Sequence, residues 1–184
     1  MGARLVAAFG EAETQRMMAN IRQGFRPCPS LALERFWSRG AVLWSGQPVR
    51  FDLRPVPDAP PATGAPADGP DALRLELAAR LAAGDVRYRL ALQRYVDEEN
   101  TPIEDGTVEW REEVSPPVAV ATLTIPQRDL LDEAARAQAA AVDALAFNPW
   151  NAPAEFRPLG NLNRARGVVY GMSARRWQAV TPEA

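Results

Sequence analysis

Residues 48 to 56 read Pro-Val-Arg-Phe-Asp-Leu-Arg-Pro-Val, and within this stretch residues 49 to 54 alternate strictly between apolar and charged side chains. Successive side chains of a β-strand point to opposite faces, so Val49, Phe51 and Leu53 would share one face and the charged residues the other. The stretch therefore predicts a strand whose apolar face packs on a core and whose charged face meets solvent.

Further strands and one inserted helix are predicted downstream. Residues 86–96 alternate again, with Val86, Tyr88, Leu90 and Leu92 opposite Arg87, Arg89 and Gln93. Short apolar runs predict strands at 107–110 and 118–125, separated by a Ser-Pro-Pro break. Between the first two strands, the proline-rich residues 57–70 predict an exposed loop. Leucines at every fourth position, followed by Gly84, predict a helix over 71–83.

Helices are predicted at both ends of the strand region. Residues 3–24 have helical apolar spacing with a break near Gly10, and residues 31–39 predict a second short helix. Residues 42–44 are extended and end at a Ser-Gly turn. The alanine-rich residues 129–145 and residues 161–177 predict two final helices.

This order predicts an α+β fold on an antiparallel sheet, in one domain spanning 1–184. Its parts are a helical segment (1–40), antiparallel strands with an inserted helix (48–126), and a helical C-terminal segment (129–177).

The composition excludes several classes of function. The formal net charge is −2 and all 21 cationic residues are arginine, which disfavours nucleic-acid binding. No apolar run approaches the roughly 20 residues of a membrane span. The single cysteine, Cys28, and the absence of a secretory signal predict a cytoplasmic protein. There is no histidine, which excludes histidine-based catalytic triads and zinc sites.

Arg166 and Tyr170 are four residues apart in the last predicted helix and therefore lie on the same face. A neighbouring cation and a ferric iron both favour the phenolate form of tyrosine, and a phenolate is one of the few side chains that bind haem iron axially. An isolated pair of this kind is usually an ordinary surface pair, so the spacing alone decides nothing.

The surrounding sequence resembles the C-terminal, proximal-haem half of the catalase family. The resemblance is carried by Phe-Asn-Pro-Trp at 147–150, by Arg-Pro-Leu-Gly-Asn-Leu-Asn-Arg-Ala-Arg-Gly-Val-Val-Tyr at 157–170, and by Thr-Pro-Ile-Glu-Asp-Gly-Thr-Val-Glu-Trp at 101–110. It extends through the strands at 118–125, 86–93 and 48–55 in the family's order. It implies the antiparallel half of a catalase-type β-barrel, flanked by N-terminal and C-terminal helices.

The resemblance also implies a haem site. Tyr170 would be the axial ligand of a haem b iron, and Arg166 would donate a hydrogen bond to its phenolate. Arg175 and Arg176 match the family region that approaches a haem propionate, although the full arginine pattern of catalases after the tyrosine is absent.

The family's distal half, with its histidine, has no counterpart in these 184 residues. Because peroxide cleavage needs a positioned acid–base group, the resemblance implies a truncated haem protein with peroxidase-like or hydroperoxide-handling activity and weak or no catalase activity. Two alternatives stay open: a non-catalytic binding or scaffold module, and one subunit of a split catalase-like enzyme.

Half a barrel would leave two strand edges open and expose an apolar face with Phe51, Tyr88, Leu90 and Leu92. The expected partner is therefore a second copy in a two-fold homodimer, or a second chain that supplies the distal half.

Overall fold

The computed structural model describes residues 2–63 and 69–180 and has the predicted α+β organisation. The elements in chain order are α1 (Gly2–Phe9), α2 (Glu11–Gly24), β1 (Phe36–Trp37), β2 (Val42–Trp44), β3 (Gln47–Pro55), α3 (Ala72–Ala83), β4 (Val86–Arg94), β5 (Val118–Ile125), α4 (Glu133–Asp143), a 3-10 turn (Ala154–Phe156) and α5 (Gly160–Val180).

Most of the predicted elements are confirmed, because their signals are local. The break between α1 and α2 falls at Gly10, whose φ of 80° is in the left-handed region. Ser45 and Gly46 have φ of 49° and 79°, as the tight turn of the β2–β3 hairpin requires. The predicted helix α3 ends at Gly84, whose amide bonds the carbonyl of Arg80.

Three local predictions are corrected. The short helix at 31–39 is wrong, because this segment ends in β1, where Phe36 and Trp37 pair with β3. The strand at 107–110 is wrong as well, since Trp110 is a buried side chain in a loop and its indole N–H bonds the carbonyl of Pro102. Helix α4 begins only at Glu133, after Asp132 caps the amide of Ala135.

The proline-rich loop between β3 and α3 has no helix or strand in its described parts, 57–63 and 69–70. Residues 64–68 of that predicted loop lie outside the described residues.

The sheet is antiparallel throughout, with β3 at its centre. The strand order is β1-β3-β4-β5, and β2 pairs with β3 further along the same side as β1. Phe51 pairs with Leu92 and Tyr88 with Leu123, so these four side chains lie on one face. A bulge in β5 interrupts the pairing with β4 at Leu90 and Ala91.

The core lies between one end of the apolar face and helix α3. Ala32, Leu81, Val86 and Tyr88 form its buried centre, and the residues packed around it are Leu53, Leu77, Ile125 and Leu130. Tyr88 and Leu92 are buried, whereas Phe51 is 37% exposed. The predicted uncovered face is therefore partly covered, chiefly by the inserted helix.

One of the two edges that were expected to be open is covered along β2 by the chain itself. The amide of Leu43 in β2 donates to the carbonyl of Arg157, and Val42 forms a bridge with Pro158. Leu159 then donates to Ala41. The opposite edge, β5, has no partner strand among the described residues. Within the same residues, no helix combines the length and the apolar character needed to cross a membrane.

Candidate functional site

The segment that was predicted to carry chemistry lies on α5, whose N-terminus is fixed to the 103–104 loop. Gly160 has a φ of 83°, and a Cβ at this position would collide with the carbonyl oxygen of Ile103. The carboxylate of Glu104 accepts hydrogen bonds from the amide of Asn161 and from the guanidinium of Arg164, both at 2.8 Å. A carboxylate at this place satisfies a free helix amide and complements the helix dipole.

Asn163 joins this helix to the sheet. The side chain is 2% exposed, and its amide donates to the carbonyls of Ala41 and Leu159, each at 2.9 Å. Its side-chain oxygen accepts from Arg166 at 3.2 Å. The indole N–H of Trp150 donates to the carbonyl of Asn163 at 2.7 Å. Asn163 thus holds the Arg166 guanidinium from the buried side of the helix.

Arg166 and Tyr170 are in contact, as their spacing predicts. A terminal nitrogen of the guanidinium donates to the Tyr170 hydroxyl at 3.3 Å, and the guanidinium carbon is 5.2 Å from the ring centroid. Tyr170 is 36% exposed, so its hydroxyl is at the surface of the described residues. The pair can therefore offer a phenol oxygen, with a cation beside it, to a group approaching from outside.

Arg175 and Arg176 lie on different sides of α5. At 3.6 residues per turn, Arg175 is about 140° and Arg176 about 240° around the axis from Tyr170. The Arg175 guanidinium reaches back to Gly171, where a Cβ would lie 3.7 Å from its terminal nitrogen. The Arg175 side chain thus lies one turn back on its own side of the helix, and neither predicted propionate contact shares the face of Tyr170.

The middle of α5 carries apolar side chains that nothing in the described chain covers. Val168, Val169 and Met172 are all at least 60% exposed. Val168 and Met172 lie roughly opposite Tyr170 on the helix, and Val169 lies beside it. The helix is therefore anchored by its first two turns and leaves apolar surface beyond them.

A second cluster, on the charged face of β3, was missed by the sequence reasoning. That face was predicted to meet solvent, but Asp52 is only 3% exposed. Its carboxylate accepts from Arg35 at 2.8 Å and from Arg54 at 3.1 Å, and both arginines also bond Glu112. Bonding to Asp52 raises the pKa of Arg54, and bonding to Arg35 lowers the pKa of Glu112. The alternation of Arg50, Asp52 and Arg54 was the available signal for this shared face.

A pocket of about 350 Å³ adjoins this cluster, and one of its lining residues is a cation that has no carboxylate partner in the ranges 2–63 and 69–180. The Arg50 guanidinium stacks 4.7 Å from the ring of Trp110 and bonds only the carbonyl of Val108, at 3.4 Å. Its Nε is buried without a hydrogen-bond partner among the described residues, and burial lowers the pKa of Arg50. Trp37, Phe51 and Gln93 line the same pocket. No sequence signal identified it, because its walls come from distant segments.

The bonds of Glu104 to Asn161 and Arg164 predict that low pH weakens the attachment of α5. Bonding to Arg164 lowers the pKa of Glu104 below its ordinary 4.5. The stabilisation is therefore complete above that value and is lost as the pH falls through the lower, folded pKa. We expect Glu104→Gln to show a smaller loss of stability between about pH 5 and pH 3 than the wild type. Urea midpoints across this range test it.

Glu99→Gln is the matched control, because Glu99 forms no ion pair in the described ranges 2–63 and 69–180. It should keep the wild-type pH dependence. A Glu104→Gln variant with an unaltered slope would mean that the Arg164 contact contributes nothing to stability.

The comparisons with known proteins identify the fold. No family model matches the chain, and no curated protein matches it significantly. Among solved structures it is similar to one described as the structure of a bacterial catalase, with a TM-score of 0.58 and 17% sequence identity. The match covers 80% of this chain but only 30% of the catalase chain. The α+β arrangement of an open antiparallel sheet with flanking helices is therefore a catalase-like fold, shared with about one third of that protein's length.

Proposed function

We propose that this chain is a truncated catalase-family haem protein that binds haem b through the phenolate of Tyr170. The observation that carries the proposal is the hydrogen bond from Arg166 to the Tyr170 hydroxyl, at the surface of α5 in a chain with a catalase-like fold. Tyrosinate is a known axial ligand of haem iron and needs no histidine. The site residues of this proposal are Tyr170 and Arg166, with Arg175 and Arg176 further along the same helix.

The protein's contribution to such a site is electrostatic. Arg166 stabilises the negative charge of a phenolate, and Asn163 holds the guanidinium in place by accepting its second hydrogen bond. Arg175 and Arg176, which follow Tyr170 on the same helix, are the candidates to meet a propionate. A bound haem would supply a ferric centre able to react with peroxides.

The expected chemistry is peroxidase-like or hydroperoxide-handling rather than catalase-like. With no histidine in the sequence, the chain lacks the acid–base group that usually moves a proton between the two peroxide oxygens. We place this activity in the cytoplasm and in a single domain spanning 1–184, as the composition and length predict.

Two alternatives have support of their own. The exposed Val168, Val169 and Met172 on α5 would suit a non-catalytic binding or scaffold module whose partner covers the helix. In a split catalase-like enzyme, the second chain that brings the distal half would instead cover the face of Tyr170, which is 36% exposed.

The test is a titration of the purified protein with hemin, followed by absorbance. The proposal predicts saturable binding at one equivalent, with a Soret band that survives gel filtration. The scaffold alternative predicts hemin that elutes apart from the protein. The split-enzyme alternative predicts retention only when the second chain is present. Hemin that is lost under all these conditions would overturn the proposal.

A further inference from the structure

The composition of β5 favours pairing of its free edge with a further strand. Its eight residues read Val-Ala-Val-Ala-Thr-Leu-Thr-Ile, with no charge, no proline and no glycine. All but the last are exposed, Leu123 at 45%. Natural edge strands usually carry lysine, proline or an inward charge that blocks pairing. Past its bulge, β5 carries none of these.

The register of the sheet shows which backbone groups of β5 face outward. The amide of Tyr95 bonds the carbonyl of Pro48, and the amide of Val56 bonds that of Arg87, so odd-numbered residues of β4 bond towards β3. Because these bonds alternate along an antiparallel strand, Tyr88 and its even-numbered neighbours bond towards β5. Tyr88 pairs with Leu123, so Leu123 bonds inward.

It follows that Thr122 and Thr124 present their N–H and C=O groups to the open side of the sheet. Neither amide has a hydrogen-bond partner among the described residues outside the sheet. The bulge beside Ala119 and Ala121 interrupts the strand, which leaves residues 121–125 as the regular part of the edge.

We propose that two copies of this chain pair antiparallel through residues 121–125 of β5, about a two-fold axis at Leu123. In this register Thr122 of one copy lies opposite Thr124 of the other, and each such pair exchanges two backbone hydrogen bonds, about four in total. The Leu123 side chains meet on the apolar face, and the threonines meet on the other face. Threonine pairs and apolar pairs are favourable cross-strand neighbours.

A second copy fits this edge better than a strand of another kind, because residues 121–125 match themselves. Reversed about Leu123, they place apolar residues opposite apolar ones and threonine opposite threonine, with no charge left unmatched. Each chain has one such edge, since on the other side β2 is covered by Arg157 and Pro158 and β1 is only two residues long. One edge per chain gives a closed dimer rather than an open-ended sheet.

The test is the mass in solution of the full chain at micromolar concentration, measured by sedimentation or light scattering. The wild type should have about twice its 20.1 kDa. Thr122→Pro removes an outward N–H that the ladder to β4 does not use, so it should give a folded monomer with an unchanged circular dichroism spectrum. Thr122→Val keeps the N–H and should remain a dimer.

A second variant tests the same edge without proline, which could distort the strand. Thr122→Lys with Thr124→Lys places like charges opposite each other across the axis and should also give a monomer, with dimer regained at high salt. The same double change on exposed α4 residues, Ala137→Lys with Ala139→Lys, is its control. A monomeric wild type, or lysine variants that stay dimeric at low salt, would overturn the proposal.

Discussion

Replacing Tyr170 with phenylalanine should abolish haem retention and leave the fold unchanged. The substitution removes one hydroxyl at the surface and no core volume, so stability should change by less than about 0.5 kcal/mol. The hydroxyl is the only donor atom that Tyr170 can offer to iron, so its loss should remove the retained Soret band completely. Hemin titration followed by gel filtration measures this directly.

The chain offers a matched control and a graded variant for this experiment. Tyr95 is another tyrosine, whose hydroxyl donates to the surface carboxylate of Glu98, and Tyr95→Phe should retain haem as the wild type does. Arg166→Ala should retain haem more weakly, because the phenolate loses its neighbouring cation. Equal haem content in the Tyr170→Phe and wild-type proteins would exclude Tyr170 as the ligand.

The elements that were predicted correctly are those with signals inside one segment. The alternation of apolar and charged residues identified β3 and β4, and four-residue leucine spacing identified α3. Residues 31–39 and 107–110 were misread because distant partners determine their conformation. Trp37 pairs with Asp52, and the Trp110 carbonyl accepts from the side chain of Gln93 in β4.

The candidate site likewise has one part that the sequence predicts and other parts that it does not. The Arg166–Tyr170 contact follows from helical spacing, so it was predictable. The position of Asn163, which holds Arg166, was not predictable, because its side chain bonds the carbonyl of Ala41, 122 residues away. The burial of Asp52 could not be predicted either, since it depends on Arg35 in an irregular segment and on the loop that carries Glu112.

Asp52→Asn should cause the largest loss of stability among the changes considered for this protein. The Asp52 carboxylate is 3% exposed and bonds two arginines. Replacing it with a neutral amide leaves Glu112 as the one carboxylate of the cluster that pairs with these two partly buried cations. Removing one partner of a buried ion pair costs about 3–5 kcal/mol. A domain with a total stability of about 5–15 kcal/mol would lose a large part of it.

The measurement is urea denaturation at pH 7, with two comparisons. Glu112 bonds the same two arginines but is 44% exposed, so Glu112→Gln should cost less than about 1 kcal/mol. Arg35→Met alone and combined with Asp52→Asn gives a double-mutant cycle, whose coupling should exceed about 0.5 kcal/mol because the side chains are in contact. Equal losses in the Asp52→Asn and Glu112→Gln variants would show that burial adds nothing to this interaction. Asp52 would then contribute no more to stability than an exposed carboxylate, although it is only 3% exposed.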